Sequence, residues 1–507
     1  RRGGQGRGGA DRPPRRADLL TGAAALAFDQ CGPPRRRLIH VRGCGIDWPA
    51  GRGADRRCTG QCLPDTTETA FAGIGATIAT RTPARQDKDG PDLAQACVVE
   101  GECQCGDCRT QLTPISEEVT EQLDIQPARV QVLRLVRKTY ACKACDGKPV
   151  TAPMPNQPIP KSLASPGTLA HVAVAKYVDG LPLYRQEKKL ARIGVQLPRS
   201  TLAHWMVKAG ELLQPLINLL RERLLAYDIV AMDETRLQVL KEPGKRAESQ
   251  SYLWVQRGGP QDHPILLYDY DPSRSQKVPI RLLEGFKGYL LTDGYEAYGR
   301  VCAEYSLTAV GCWAHVRRKF DEAIKAQGLL GPEKRKASLA GVAMAKIQQL
   351  YRIERETKTL SAEERQQVRQ ERAIPLLADI RTWLDEHLPI VPPRSALGKA
   401  MNYAHKQWPK LTVYVEDGRL RIDNNLTENA IRPFVIGRKN WLFCDTVAGA
   451  NASANLYSLI ETAKANGIEP YAYLRTVFTE LPQATSVDEI EALLPVPNDA
   501  EESARVS

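Results

Sequence analysis

The stretch IVAMDET, residues 229–235, decides the reading of this chain. Ile229, Val230, Ala231 and Met232 form an apolar run with the length and composition of a buried strand, and Asp233 is expected at its C-terminal end. GYLLTDGYEAY, residues 288–298, repeats the pattern, with Tyr289-Leu290-Leu291 leading to Asp293. A third acid stands in RIDNNLTENAIRP, residues 421–433, where Glu428 follows Asn424 and Asn425. Those asparagines favour turns and helix caps, so Glu428 is expected at the start of a helical turn that ends before Pro433. With 59 acids in the chain, most carboxylates belong on the surface. Asp233 and Asp293 differ because a carboxylate beside an apolar run is costly to bury without a cation or hydrogen bonds.

The sequence between these acids predicts an architecture. Two further strand-like runs, Tyr252-Leu253-Trp254-Val255 and Ile265-Leu266-Leu267-Tyr268, are joined through Arg257-Gly258-Gly259-Pro260 as in a hairpin meander. A helical stretch at 295–302, a strand-like run at 307–312 and a helix over 313–325 follow Asp293. Three antiparallel strands followed by strand–helix units give an α/β fold of RNase H-like order, with a mixed five-stranded sheet. From Gly331 to Leu388 the composition turns helical and charged, with two long amphipathic segments, 334–360 and 361–388. This predicts an all-helical insertion, about 326–415, between Asp293 and Glu428. Three converging carboxylates repel one another, and Mg²⁺ or Mn²⁺ is the ion type that offsets this with hard oxygen ligands. The chemistry such a trio suits is two-metal phosphoryl transfer, with ions roughly 3.5–4 Å apart.

Upstream, Cys105-x-x-Cys108 and Cys142-x-x-Cys145 form two knuckles on either side of Val130–Val136, which alternates like a strand. The spacing signals a structural Zn²⁺ site, closed by four thiolates at about 2.3 Å. Cys97 and Cys103 lie close enough to compete as ligands on spacing alone. The segment 183–213 reads as helix, Gly194 turn and second helix starting near Pro198 or Ser200, with Ser200 as the expected N-cap. As a helix-turn-helix it would present Arg199, Thr201, His204 and Lys208 to DNA, with backbone contacts from Arg185, Lys188 and Lys189; a solvated basic hairpin is the competing reading. Arg317, Arg318 and Lys319, with Arg438 and Lys439, flank the acids and are candidate phosphate contacts, against the alternative of solvated helix faces.

Net charge adds less than its value of +11 suggests, because residues 1–87 hold 15 Arg, no Lys and 8 acids. That segment is rich in Gly, Pro, Ala and Arg, lacks periodicity, and is expected to be disordered. The first Met is Met154, and Arg without Lys over that length is what an alternative frame of GC-rich DNA gives. Residues 1–95 are therefore expected to be non-native or disordered sequence. Apolar runs of membrane-spanning length are absent, which predicts a cytoplasmic, nucleoid-associated protein without membrane contact.

The segments MDET, LLTDGYEAY, GCWAHVRRKF and DNNLTENAIRPFVIGRKNWLF resemble those of the IS66-family bacterial transposases, over about residues 98–495. The resemblance implies a DDE transposase with an RNase H-like core, in which Asp233, Asp293 and Glu428 correspond to the three catalytic acids and metal ligands. It favours Cys105 and Cys108, with Leu112 four residues on, as zinc ligands beside Cys142 and Cys145. It also brings a Cys-x-x-His pair after the second acid, matched by Cys312 and His315; their role is left open between metal ligation and support of the active site. The expected organisation is 1–95, a zinc-binding domain at 96–155, a helical DNA-binding region at 156–225, a catalytic core at 226–454, a closing helical element at 455–495 and a tail at 496–507.

The mechanism this implies is Mg²⁺-dependent cleavage of double-stranded DNA at the ends of a mobile element, followed by attack of the freed 3′-hydroxyl on target DNA. A homo-oligomer on DNA and small accessory proteins are expected partners. The alternatives are a catalytically inactive, end-binding repressor and, from the fold alone, a ribonuclease acting on RNA–DNA hybrids.

Overall fold

The computed structural model describes residues 108–110, 130–142, 148–260, 262–328 and 331–496. By its internal contacts the chain divides into residues 1–132 and 133–507. In the second unit a two-strand ladder, β1 (Thr139–Tyr140) and β2 (Val150–Thr151), pairs antiparallel. Its Thr139 and Thr151 hydroxyls meet at 2.8 Å. The expected strand over 130–136 does not form. Val132 and Val136 are 93% and 75% exposed, so among the described residues the apolar side of that alternation is uncovered, and pairing begins at residues 139–140.

Four helices follow: α1 (Pro166–Tyr177), α2 (Leu183–Arg192), α3 (Arg199–Leu212) and α4 (Gln214–Ala226). Ser200 does not cap α3. Pro198 occupies the N-cap, and the Arg199 amide donates instead to the Glu187 carboxylate of α2 at 3.0 Å. α3 buries Leu202, Trp205, Met206 and Ala209.

The sheet is built from β3 (Ile229–Lys241), β4 (Gln250–Gly258) and β5 (Ile265–Asp271), all antiparallel. After α5 (Lys277–Leu282), β6 (Tyr289–Leu291) joins β3 in parallel. α6 (Glu296–Tyr305) then leads to β7 (Thr308–Val310), parallel to β6, giving the order β5-β4-β3-β6-β7. Gly288 makes the β3–β6 approach possible. Its φ is +120°, and a side chain there would strike the backbone of Asp228. β3 is much longer than its apolar run, so Asp233 is its fifth residue of thirteen and not its end. The cross-strand ladder to β4 carries the strand through Glu234, Thr235 and Arg236, where hydropathy alone gives no reason to continue.

α7 (Trp313–Ala326) opens the helical region, which continues with α8 (Pro332–Ala337), α9 (Leu339–Glu356), α10 (Ala362–Val368), α11 (Ile374–His387) and α12 (Ala396–Leu411). The two long amphipathic segments are each interrupted. Ser338 ends α8 and caps α9, its hydroxyl accepting from the Gly341 amide. A π-turn over Arg369–Ala373 separates α10 from α11. Arg369, 1% exposed, drives that turn inward: it forks onto Glu354 and donates to the carbonyls of Tyr414, Asp417 and Leu420.

α13 (Asn425–Trp441) runs through Pro433 rather than ending before it. Burial of Ala430, Ile431 and Phe434 against the sheet, with Tyr268 donating to the Ala430 carbonyl at 2.6 Å, outweighs the missing proline N–H. β8 (Cys444–Thr446) adds in parallel to the far end of β3. α14 (Val447–Ala465) starts eight residues before the expected closing element and is followed by α15 (Pro470–Glu480) and α16 (Val487–Glu491). α14 covers the outer edge of β5. Ser458 and Thr462 accept from the Tyr268 and Leu266 amides at 2.8 and 3.0 Å, which satisfies an edge that would otherwise be open to pairing. One core lies between sheet, α1, α3, α4 and α14; a second joins Ala231, Leu291 and Val310 to α7 and the inserted helices.

Candidate active site

Asp233 lies mid-strand on β3, its Oδ1 accepting from the Glu234 amide at 2.8 Å. Asp293 follows β6, and its Oδ1 accepts from the Tyr295 amide at 2.9 Å, closing an Asx turn into α6. Glu428 is in the first turn of α13, as its sequence setting predicts. The Asp233 carboxyl is pushed up to about 8, first by burial, then by the charges of Glu234 and Asp293, and more weakly by Glu428; the Glu234 amide opposes this. Three acids from separate segments thus share one electrostatic neighbourhood.

Glu428 is held from α7. Arg318 donates to its Oε2 at 2.9 Å, and His315 Nδ1 stands 3.6 Å from its Oε1. That separation is too long for a hydrogen bond. Both His315 Nδ1 and Glu428 Oε1 are buried without a hydrogen-bond partner, as are Asn424 Oδ1 and Thr427 Oγ1. These four atoms lie where α7 and α13 begin and leave hydrogen-bonding capacity there for water or a ligand. Burial, reinforced by Arg318 and opposed by Glu428, keeps the His315 imidazole below its ordinary value.

Cys312, His315 and Glu428 each offer a ligand atom within 4.8 Å of the others. The Cys312 thiol is already engaged, accepting from the Asn424 amide at 3.3 Å, and burial pushes it up to about 12. The hydrogen bond ties the Cys312 thiol to the start of α13, and the grouping leaves both ligation and support of the site open for Cys312 and His315.

Several residues at the site carry no role in the sequence reading. Asn424, 1% exposed, leaves its cap position without a side-chain bond and instead donates through Nδ2 to the Met232 carbonyl of β3 at 2.9 Å. It therefore ties the start of the Glu428 helix to the residue before Asp233. Glu234 is nearly buried, yet its charge is matched: Arg274 Nε donates at 2.7 Å and Tyr298 at 2.7 Å. Arg274 also stacks on Tyr295, 4.0 Å from the ring centroid. MDET signals a second acid beside Asp233, but no local pattern singles out Arg274.

Of the expected basic contacts, Arg318 is committed to Glu428, while Arg317 and Lys319 stack on Tyr351 and Tyr403 at 5.7 and 4.7 Å. Arg438 reaches Thr235 on β3 at 3.5 Å, and Lys439 is exposed. On α3, Arg199, His204 and Lys208 are exposed, Thr201 is half-buried, and Lys208 pairs with Glu211 at 2.6 Å. Among the described residues no hydrogen bond or ion pair joins α3 to the acids. Cys108 and Cys142 are exposed, and the Cys108 thiol donates to Thr110 at 3.3 Å. Cys105 and Cys145, like residues 1–95, lie outside the described residues.

The fold and site define an α/β protein whose mixed sheet carries an acid cluster completed by a helix from beyond an all-helical segment. Comparison with known proteins agrees. The model of the Transposase IS66 family matches residues 161–452, that of the IS66 C-terminal element residues 458–496, and that of the zinc-finger binding domain of transposase IS66 residues 102–146. The chain belongs to the IS66 transposase family. Two relatives from Sinorhizobium fredii, the uncharacterized proteins y4jD and y4qI, are each 34% identical. The alignments cover 77% of both chains for y4jD, and 75% of this chain and 71% of the relative for y4qI. The zinc-finger match supports a structural zinc, and among the described residues no helix is long and apolar enough to cross a membrane.

Proposed function

We propose that this chain is a DDE transposase of RNase H-like fold that cleaves DNA at the ends of its element and transfers the strand into target DNA, with Asp233, Asp293 and Glu428 as its catalytic acids. The observation that carries this is their convergence: the charges of Asp293 and Glu428 both act on the buried Asp233 carboxyl. The donor set suits Mg²⁺ or Mn²⁺, being oxygen-rich and including an orphaned Glu428 Oε1. A divalent ion held by these carboxylates would supply Lewis-acid stabilisation of charge on a phosphodiester.

The chain's own residues prepare that site. Asn424 and Arg318 fix Glu428 against β3 and α7. Arg274 and Tyr298 occupy Glu234, which keeps the neighbouring acid from acting as a fourth free carboxylate. Asp233, raised to about 8 by burial and its acidic neighbours, favours its protonated form at neutral pH in the ion-free protein, and a divalent cation held there would favour the carboxylate. Both displacements need positioning and charge neutralisation, with no covalent link to protein.

The test is strand cleavage and joining on DNA carrying the termini that flank the gene, under Mg²⁺ and Mn²⁺. Cleavage at those termini should fall by about 10²-fold or more in Asp293→Asn. Binding of the termini without cleavage by the unaltered chain would replace this reading with that of an end-binding repressor.

A further inference from the structure

Arg257 is a half-buried charge that the acid cluster does not use. It lies near the end of β4, in register with Ala231, two residues before Asp233 on β3. Cross-strand partners share a face and side chains alternate along a strand, so Arg257, Ala231 and Asp233 stand on one face of the sheet. Burial, then the charge of Arg421, brings the Arg257 guanidinium down to about 10.

Hydrogen bonds locate Arg421 independently. Arg419 pairs at 2.6 Å with Asp228, the residue before β3, and Asn424 donates to the Met232 carbonyl. The two ends of segment 419–424 are thus tied beside residues 228 and 232, with Arg421 between them and Arg257 in register with Ala231 of the same stretch. Nearby acids are occupied: Asp228 and Asp417 by Arg419, Asp423 by Tyr351 and Asn425, and Glu354 by Arg369. Among the described residues neither Arg257 nor Arg421 has an ion pair or hydrogen bond to its guanidinium. Arg257 is half-buried and Arg421 exposed; like charges on neighbouring segments repel, and an anion between them offsets this. Guanidinium forks match phosphate oxygens.

We propose that Arg257 and Arg421 form a phosphodiester-binding subsite, which takes a backbone phosphate of DNA on the sheet face that carries Asp233. This rests on the reading of the chain as a DNA-acting transposase. The experiment follows binding of a labelled duplex of arbitrary sequence to the full chain across a salt series, for wild type, Arg257→Gln and Arg421→Gln, with melting curves for each. Each substitution should reduce the slope of log K against log salt by about 0.9. Melting temperatures should stay level or rise, because like-charge repulsion is removed; a purely structural arginine would lower them. An unchanged slope in folded Arg421→Gln overturns the subsite while leaving the transposase reading intact. Failure of wild type to bind any duplex overturns both. If inorganic phosphate raises the wild-type melting temperature but not that of Arg257→Gln, and duplex slopes are unaffected, the site takes a free anion and the DNA assignment falls.

Discussion

Asp233 shows how burial and acidic neighbours together set the charge of one residue. Its carboxyl is raised from 3.8 to about 8, so between those values the unfolded chain has lost a proton that the folded chain keeps. The contribution of Asp233 to the stability of the ion-free protein is therefore greatest below about 4 and falls as pH rises towards 8. In chelator, Asp233→Asn should melt at the wild-type temperature near pH 4 and above it at pH 8, and Mg²⁺ should raise only the wild type. Calorimetry across that range checks this, and a wild type that gains stability from pH 4 to 8 relative to Asp233→Asn would refute it. Glu234, one residue away and nearly buried, pairs with Arg274 and accepts from Tyr298.

At the scale of elements, the candidate site depends on how two helix starts are clamped to each other and to β3. The α13 start is fixed to β3 by the Asn424 amide group and to the α7 cap by the Asn424 N–H on Cys312. Trp313, first in α7, donates its amide to the Ile422 carbonyl at 3.1 Å, locking the same loop from the other side. Asn424 is thus a positioning residue, acting through Glu428 and Asp233. Replacement by alanine should weaken Mn²⁺ binding by about 10–100-fold, the range typical of partners that orient metal ligands. Mn²⁺ titration followed by electron paramagnetic resonance reads this directly. Unaltered affinity in a folded Asn424→Ala would show that β3 and α13 hold their register without it. Glu428 was legible as a helix-start acid, but the clamp was not: Asn424 and Met232 are 192 residues apart, and no local spacing encodes their pairing.

At the scale of the molecule, the zinc region and the catalytic unit differ in what holds them together. Described residues 130–142 and 148–151 are all exposed, so none of these described residues contributes to an apolar core. A small module in that state takes its folding energy from a metal. The full chain should carry about one zinc per molecule, lost in the Cys142→Ser and Cys145→Ser double variant, while the main melting transition of the catalytic unit stays put. Zinc content by metal analysis and calorimetry on the same samples test both halves. Retention of zinc by the double variant would move the ligands elsewhere.

The chain's local patterns determined a great deal: the apolar runs of the sheet, the helical segment between the second and third acids, the acids themselves and the family they mark. Those features are short-range, set by hydropathy period, turn residues and motif spacing. Tertiary structure alone decided that β3 extends past Asp233, that a π-turn forms where Arg369 turns inward, that α13 passes through Pro433, and that Arg257 shares a sheet face with Asp233. In each case the deciding contact comes from a distant segment, whose burial or register overrides the preference of the local sequence.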